Sequence, residues 1–112
     1  MVKKKNYVPH RGDIVWLSFD PQTGHEQKGK RPAIVLSPKE YNQKVGLALF
    51  CPITSKTKNY PFEVKIYGEI SGVILSDQLK SLDWRKRNAE YIMKVEVPTI
   101  KEVQENIHML LF

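Results

Sequence analysis

The stretch from Arg31 to Thr54 reads "RPAIVLSPKEYNQKVGLALFCPIT" and combines two apolar segments with a short polar segment between them. The first segment, "RPAIVLS", predicts a strand, because its residues are small or branched and Pro32 lies near its start, where a missing N–H does least harm. The polar segment predicts a short helix that Pro38 opens and Gly46 closes. The last segment, "LALFCPIT", predicts another strand. A strand, a short helix and a second strand therefore form the expected centre of the fold.

The sequence on both sides of this stretch predicts a mainly β protein. Strands are expected at 13–19, 62–66, 73–76 and 91–97, with further alternation over 77–84. About six or seven short strands at this spacing are typical of a compact barrel. The C-terminal segment predicts a helix, since Thr99 and Glu102 fit a capping box behind Pro98. Its apolar residues recur on one helical face: Ile100, Val103, Ile107, Leu110 and Leu111.

Length and charge limit the class of protein. The 112 residues suggest one domain over 1–112, and the net charge is +6. The charge is uneven, because residues 1–60 hold eleven Lys/Arg and four Asp/Glu (+7), whereas residues 61–112 hold seven and eight (−1). This asymmetry fits a polyanionic partner such as nucleic acid, and it also fits a solvated basic surface. One cysteine, no long apolar span and no apolar region after the basic N-terminus predict a cytoplasmic protein.

Motifs for metals, cofactors and covalent catalysis are missing from the sequence. The three histidines, His10, His25 and His108, lack ligand-like spacing, and no Asp/Glu cluster resembles a two-metal phosphate site. P-loop, dinucleotide and G-x-S-x-G patterns are missing too. Cys51 lies in an apolar run, which predicts an inert buried thiol rather than a nucleophile. We therefore expect neither a metal nor a cofactor.

Two basic loops hold the remaining candidates for chemistry. The first loop ends at Arg31, directly before an apolar strand, which suits an arginine that must meet a phosphate with fixed geometry. The second begins at Thr54, where another strand ends. Judged by spacing alone, both loops also have a purely structural interpretation. In that interpretation Glu26 pairs with a lysine, and Thr54 hydrogen-bonds to the backbone. The polar loop residues are Glu26, Lys28, Lys30, Ser55, Lys56 and Lys58.

Three segments carry a resemblance to a known family. They are "RGDIVWLSFDPQTGHEQKGKRPAIVLSPKEYN", "FCPITSKTKNYPFEV" and "GVILSDQLKSLDWRKR". Together they resemble the MazF/PemK family of toxin endoribonucleases, and its MazF branch in particular, over nearly the whole chain. The phrase G-D-[IL]-[VI]-W followed by G-x-E-Q-x-G-x-R-P-A is specific in combination, and the later segments occur in the family's order.

The resemblance implies a fold, an activity and partners. The fold is a small SH3-like β-barrel of the PemK/CcdB type, mainly β, with a C-terminal α-helix and a short helix after the second strand. The activity is metal-independent, sequence-selective cleavage of single-stranded RNA, chiefly mRNA, which leaves 2′,3′-cyclic phosphate and 5′-hydroxyl ends. The partners are a second copy in a homodimer and a MazE-type antitoxin whose acidic tail occupies the RNA groove.

The family's active residues match Arg31 in "KRPA", Thr54 in "PITS" and Glu26 in the G-x-E-Q loop. Arg31 is expected to stabilise charge on phosphorus, Thr54 to donate a hydrogen bond to the phosphoryl group, and Glu26 to act as base. His25 is an alternative base, since histidine has a reference pKa of about 6.5, although the family supplies no histidine there. The expected RNA-binding residues are Lys28, Lys30, Ser55, Lys56, Lys58, Gln78 and Lys80.

Several other features have two interpretations. Four aromatic residues are either base-stacking surfaces or core residues, and Trp16 fits the core better: Trp16, Phe19, Tyr60 and Trp84. The cluster "WRKR" at 84–87 is either an RNA contact or a solvated turn. The strands around Val73–Leu75 and the terminal "HMLLF" carry more apolar residues than a small barrel buries, which suits a dimer.

Three other functions compete with the nuclease interpretation. A CcdB-like toxin of the same fold binds gyrase without catalysis, but such a binder does not need the arginine–threonine pair. A basic barrel that binds RNA without cutting it is the second rival, and a purely structural barrel is the third. Substitution of Arg31 separates a nuclease, which loses cleavage, from a binder, which loses only affinity.

Overall fold

Seven strands and two helices are present in residues 6–18 and 29–112, the part of the chain that this computed structural model describes. The strands are β1 (Asp13–Ser18), β2 (Lys30–Val35), β3 (Leu47–Thr54), β4 (Glu63–Ile66), β5 (Gly72–Leu75), β6 (Lys80–Asp83) and β7 (Glu90–Lys94). The helices are α1 (Lys39–Val45) and α2 (Val97–Leu111). The predicted mainly β fold, with a short helix after the second strand and a C-terminal helix, is confirmed.

All seven strands belong to one antiparallel sheet. Its order is β4-β5-β3-β2-β1-β7, and β6 also pairs with β3. The long strand β3 pairs with β2 along one edge, and with β6 and then β5 along the other. Because β3 changes partner along its length, the sheet curls into a half-barrel instead of extending flat.

Alternation along the central strands gives the sheet two buried faces. On β1, Ile14 packs in one apolar cluster and Val15 in the other, as the two-residue period of a strand requires. On β3, Cys51 belongs to the first cluster and Phe50 to the second. Helix α2 covers the first cluster through Val103, which is fully buried. The second cluster is open at one end of the sheet, and that end forms the site described below.

A buried asparagine fastens helix α1 to the sheet. Pro38 precedes the helix and Gly46 ends it with a left-handed φ of 84°, as the sequence predicts. Asn42 accepts a hydrogen bond from the Ser37 hydroxyl at 2.6 Å, and its amide donates to the Pro9 carbonyl at 2.8 Å. The indole N–H of Trp84 donates to the Asn42 carbonyl at 2.9 Å. These bonds satisfy the buried polar groups and fix the helix.

The C-terminal helix begins earlier than the sequence predicts. It starts at Val97 with Glu96 as the N-cap, so Pro98 lies in the first turn, where its missing N–H costs nothing. The expected Thr99 capping box is therefore wrong, since Thr99 lies inside the helix and its N–H donates to the Glu96 carbonyl. No side-chain hydrogen bond caps this helix start.

Apolar residues are distributed differently from the sequence expectation. Val73 and Ile74 are 3% and 0% exposed, so the strand β5 is part of the core and not spare surface. The last turn of α2 and the residue that follows it, in contrast, have four exposed apolar side chains: Met109, Leu110, Leu111 and Phe112. Leu110 and Leu111 thus do not belong to the buried helical face that was predicted. No helix among the described residues has the length and apolar character of a membrane span.

Candidate active site

A groove of about 600 Å³ opens at the end of the sheet where β1 and β3 finish and β2 and β6 begin. Its cationic lining residues are Arg31, Lys56, Lys58, Lys80 and Arg87. Its polar and acidic lining residues are Ser18, Thr54, Tyr60, Glu63, Asp77 and Gln78. Its apolar lining residues are Leu17, Pro32, Ala33, Phe50, Pro52, Ile53, Leu75 and Leu82. Cations beside an apolar surface suit a ligand with a charged backbone and flat bases.

Strand register places Arg31 and Thr54 on the same face of the sheet. Ala33 lies opposite Pro52 in the β2–β3 ladder. The period of two puts Arg31 on the face of Ala33 and puts Thr54 on the face of Pro52 and Phe50, and these are the same face of the sheet. Both side chains line the groove. Two residues 23 positions apart in sequence (54 − 31) thus meet at one site.

Arg31 is anchored by backbone pairing on the other side as well. It lies inside β2, opposite Leu17 of β1, so the expectation of a firmly held backbone is confirmed. Its neighbour Lys30 faces the opposite side of the strand and pairs with Glu90 at 3.4 Å. The structure therefore brings Arg31 to the groove and leaves Lys30 outside the groove lining.

The Thr54 hydroxyl is oriented by the loop that follows it. Its Oγ1 accepts a hydrogen bond from the Lys56 N–H at 3.2 Å, which leaves the hydroxyl proton to donate elsewhere. The backbone of Thr54 is fixed by the close approach of Gly72 on β5, because a Cβ at that glycine would lie 2.4 Å from the Thr54 carbonyl oxygen. Glycine is therefore required at position 72 to keep Thr54 in place.

Glu63 holds the second basic loop. Its carboxylate accepts hydrogen bonds from the Thr57 hydroxyl and, at 2.9 Å, from the Lys58 N–H. The Thr57 hydroxyl in turn accepts from the N–H of Asn59, which has a left-handed φ of 55°. The groove-lining lysines Lys56 and Lys58 are thus carried by a loop with its own internal hydrogen bonds.

This arrangement predicts an acid-sensitive loop. The hydrogen bond from Thr57, followed by that from the Lys58 N–H, lowers the pKa of Glu63 below its ordinary value of 4.5. A carboxyl with a lowered folded-state pKa stabilises the fold above the unfolded-state value, and that contribution is lost as the pH falls through the folded-state pKa. We expect an NMR titration of the Glu63 side chain to give a midpoint below 4.5.

Thr57→Val tests the cause of that shift. The variant removes the leading hydrogen bond, so the Glu63 midpoint is expected to move back towards its ordinary value. Ser55→Ala, in the same loop but without a hydrogen bond to this carboxylate among the described residues, is the matched control. An unchanged midpoint in Thr57→Val would contradict the assignment.

The structure brings together six of the predicted site residues. Besides Arg31 and Thr54, the groove is lined by Lys56, Lys58, Gln78 and Lys80. Gln78 and Lys80 come from the turn between β5 and β6 and from the start of β6, where Lys80 lies opposite Phe50. Ser55 is exposed beside the groove and does not line it. Glu26, His25 and Lys28 lie outside the described residues, as does Phe19.

The sequence assigned no role to the groove-lining residues Glu63 and Asp77, and it left Arg87 open as part of a cluster that is either an RNA contact or a solvated turn. Arg87 donates a hydrogen bond to the Ser18 carbonyl at 3.1 Å, and its own carbonyl accepts from the Ser18 N–H. The "WRKR" cluster at 84–87 was the sequence signal for Arg87. In the structure, the members of this cluster have different environments. Trp84 is buried, Arg85 stacks over the Trp84 ring at 4.8 Å, and Arg87 lines the groove.

Cys51 lies in the apolar core, as its sequence setting predicts. It is fully buried, and burial, with a smaller contribution from the Asp77 charge, raises the pKa of its thiol to about 12. Within residues 6–18 and 29–112, no group of three or more His, Cys, Asp or Glu side chains is arranged to hold a metal ion.

Comparison with known proteins identifies the family. A family model described as "PemK-like, MazF-like toxin of type II toxin-antitoxin system" matches residues 10–111. The chain belongs to the PemK/MazF toxin family. The family expected from the three sequence segments is thereby confirmed.

Members of the PemK/MazF family from several bacteria are similar to this chain over most of its length. The endoribonuclease toxin MazF of Escherichia coli K12 is 46% identical, with 94% of this chain and 96% of the relative covered. The endoribonuclease toxin ChpB of the same organism is 41% identical, with 82% and 83% covered.

Solved structures of family members have the same fold. The crystal structure of MazF from Deinococcus radiodurans is 49% identical and superposes with a TM-score of 0.84, covering 95% of this chain and 98% of that one. A MazE–MazF crystal structure from the same organism is 47% identical with a TM-score of 0.86, covering 94% and 97%.

Proposed function

We propose that this protein is a sequence-selective endoribonuclease toxin that cleaves single-stranded RNA, chiefly mRNA in the cytoplasm, and so inhibits translation. The observation that carries the proposal is the convergence of Arg31 and Thr54 on one face of a groove with lysines along its lining and apolar side chains within it. Relatives at 46% and 41% identity that are named endoribonuclease toxins support it.

The reaction uses the RNA's own 2′-hydroxyl as nucleophile. The 2′-oxygen loses its proton to a base and forms a bond to the adjacent phosphorus. The bond from phosphorus to the 5′-oxygen breaks, and that oxygen takes up a proton. The products are a 2′,3′-cyclic phosphate and a 5′-hydroxyl, so atoms and charge balance without an external nucleophile.

Arg31 and Thr54 act on the phosphoryl group. The guanidinium fork donates two hydrogen bonds to the non-bridging oxygens as negative charge grows on them, and the Thr54 hydroxyl donates a third. Arginine is unsuited to the role of base, because a guanidinium keeps its proton throughout the physiological pH range. We assign that role to Glu26, with His25 as the alternative.

The proposal includes two protein partners. The first is a MazE-type antitoxin with an acidic segment that competes with RNA for the cationic groove, and the solved MazE–MazF complexes support it. The second is another copy of this chain in a homodimer. The exposed apolar side chains at the C-terminal end of α2, from Met109 to the C-cap Phe112, favour such contacts.

The test is incubation of the purified protein with a long single-stranded RNA in excess EDTA, followed by mapping of the cut ends. We expect discrete cuts with 5′-hydroxyl ends at a recurring short sequence, and none with Arg31→Ala. Cuts that disappear in EDTA would contradict the metal-independent reaction. Intact RNA with folded wild-type protein would overturn the nuclease proposal and direct attention to a CcdB-like, gyrase-binding toxin.

A further inference from the structure

Tyr60 presents an exposed aromatic ring in the groove. The groove has two aromatic lining residues in the described part of the chain, Tyr60 and Phe50. Phe50 is 1% exposed and belongs to the core, whereas Tyr60 is 43% exposed. Trp84, another aromatic candidate, is 6% exposed and does not line the groove. An accessible π-face in this groove therefore belongs to Tyr60.

The Tyr60 ring is held at both ends. Its edge packs against Phe62, with ring centroids 5.8 Å apart and planes at 62°. Its hydroxyl donates a hydrogen bond to Asp77 Oδ2 at 2.6 Å. An aromatic side chain fixed in this way loses little further conformational entropy when a ligand stacks on it.

The Asp77 carboxylate relies on Tyr60 for its side-chain hydrogen bond. Its other oxygen, Oδ1, is buried and has no hydrogen-bond partner in the described structure. The Tyr60 hydroxyl is thus the side-chain donor that the carboxylate uses, and loss of a donor to a partly buried carboxylate is costly. The hydrogen bond to Asp77 also raises the pKa of Tyr60, because a carboxylate acceptor favours the protonated phenol.

Charge indicates which part of the RNA faces this pair. Arg31, Lys56, Lys58 and Lys80 attract the phosphodiester backbone, whereas a carboxylate in the same groove repels it. The stretch of groove at Asp77 and Tyr60 is consequently a poor place for a phosphate. A base, which carries no net charge and has a flat face, fits there.

We propose that Tyr60 is the stacking platform for one base of the RNA next to the scissile bond and that Asp77 is the positioning residue that fixes its ring. This inference rests on the proposed nuclease function and names the residues that seat the substrate's base. The cations along the groove hold the backbone, and the tyrosine orients the base relative to Arg31 and Thr54.

The first test compares Tyr60→Leu with Tyr60→Trp. Leucine keeps an apolar side chain but has no π-face, and tryptophan keeps the face. Base–aromatic stacking corresponds to about 5- to 150-fold in binding. We therefore expect Tyr60→Leu to raise KM about tenfold on an oligonucleotide with one cleavage site, with a smaller change in kcat. We expect Tyr60→Trp to raise KM less, because tryptophan keeps the π-face but lacks the hydroxyl that donates to Asp77. Tyr67→Leu is the control, since Tyr67 is 75% exposed and lies outside the groove lining.

The second test identifies which base of the RNA stacks on Tyr60. Abasic residues are introduced one position at a time into the same oligonucleotide. An abasic residue at the position that stacks on Tyr60 is expected to slow cleavage by the wild-type protein. The same abasic residue is expected to cause no such loss in Tyr60→Leu, because the variant has already lost that stacking contact. Equal losses for both proteins at every position would overturn the proposal.

Asp77→Ala distinguishes positioning from a general structural effect. We expect a smaller rise in KM than for Tyr60→Leu, and little additional rise when the two changes are combined. A combined variant whose losses multiply would overturn the coupling. If Tyr60→Leu cleaves like Tyr67→Leu while wild type cuts RNA, the stacking proposal fails and the nuclease function stands. If wild type cuts no RNA, both fail.

Discussion

Arg31→Ala is expected to lower the rate constant for RNA cleavage by about 10²- to 10³-fold or more, while RNA binding weakens by about tenfold or less. Loss of one preorganised donor to a developing oxyanion costs about 10²–10³ in kcat, and this fork supplies two hydrogen bonds. Binding is largely kept because Lys56, Lys58 and Lys80 still line the groove. Single-turnover cleavage and equilibrium binding of a 2′-deoxy oligonucleotide, which cannot be cleaved by this reaction, separate the two effects.

Two further variants define what Arg31 contributes. Arg31→Lys keeps the charge but loses the planar fork, and we expect it to recover only part of the rate. Arg85→Ala is the matched control, because Arg85 is an exposed arginine that stacks on Trp84 outside the groove lining. If Arg31→Ala lost affinity and rate in equal proportion, the residue would be a binding contact and not a stabiliser of the transition state.

The sheet was predictable because its signal is local. A strand that is buried on both faces consists of a continuous run of apolar residues, which is visible in the sequence. The run "LALFCPIT" coincides with β3 from its first residue to its last. The same period of two also determined the site, since it places Arg31 with Ala33 and Thr54 with Pro52 on one face. Helix α1 was predictable for a related reason, because Pro38 and Gly46 mark its two ends chemically.

Features that depend on contacts between distant segments were not predictable. The Tyr60–Asp77 hydrogen bond joins residues 17 positions apart, and the Arg87–Ser18 contact joins residues 69 apart. No local pattern records such pairs. The start of α2 was misplaced because Thr99 fits a capping box in isolation, whereas the helix is entered from β7 by a short connection through Glu96.

Thr54→Val is expected to lower the cleavage rate constant by about 10- to 100-fold with little change in RNA binding. The two side chains have nearly the same shape, so the variant removes the hydroxyl alone, and a hydrogen bond to a charged group contributes about 1.5–3 kcal/mol. In the wild-type protein, Thr54 Oγ1 accepts a hydrogen bond from the exposed Lys56 N–H at 3.2 Å. In the variant this N–H can bond to water instead, so the fold should lose little stability. Single-turnover kinetics and thermal unfolding measure the two quantities.

Thr54→Ser and the double variant with Arg31→Ala show whether the hydroxyl acts on the reacting phosphate. Serine keeps the donor and should retain most of the rate. Arg31 and Thr54 lie on one face of the sheet and line the same groove, so we expect both to act on one phosphoryl group. Groups that act as a unit are not additive, and the double variant should therefore be only slightly slower than Arg31→Ala. If the two losses multiply instead, Thr54 serves a separate step, such as ordering the Lys56–Lys58 loop, and its assignment to the transition state is wrong.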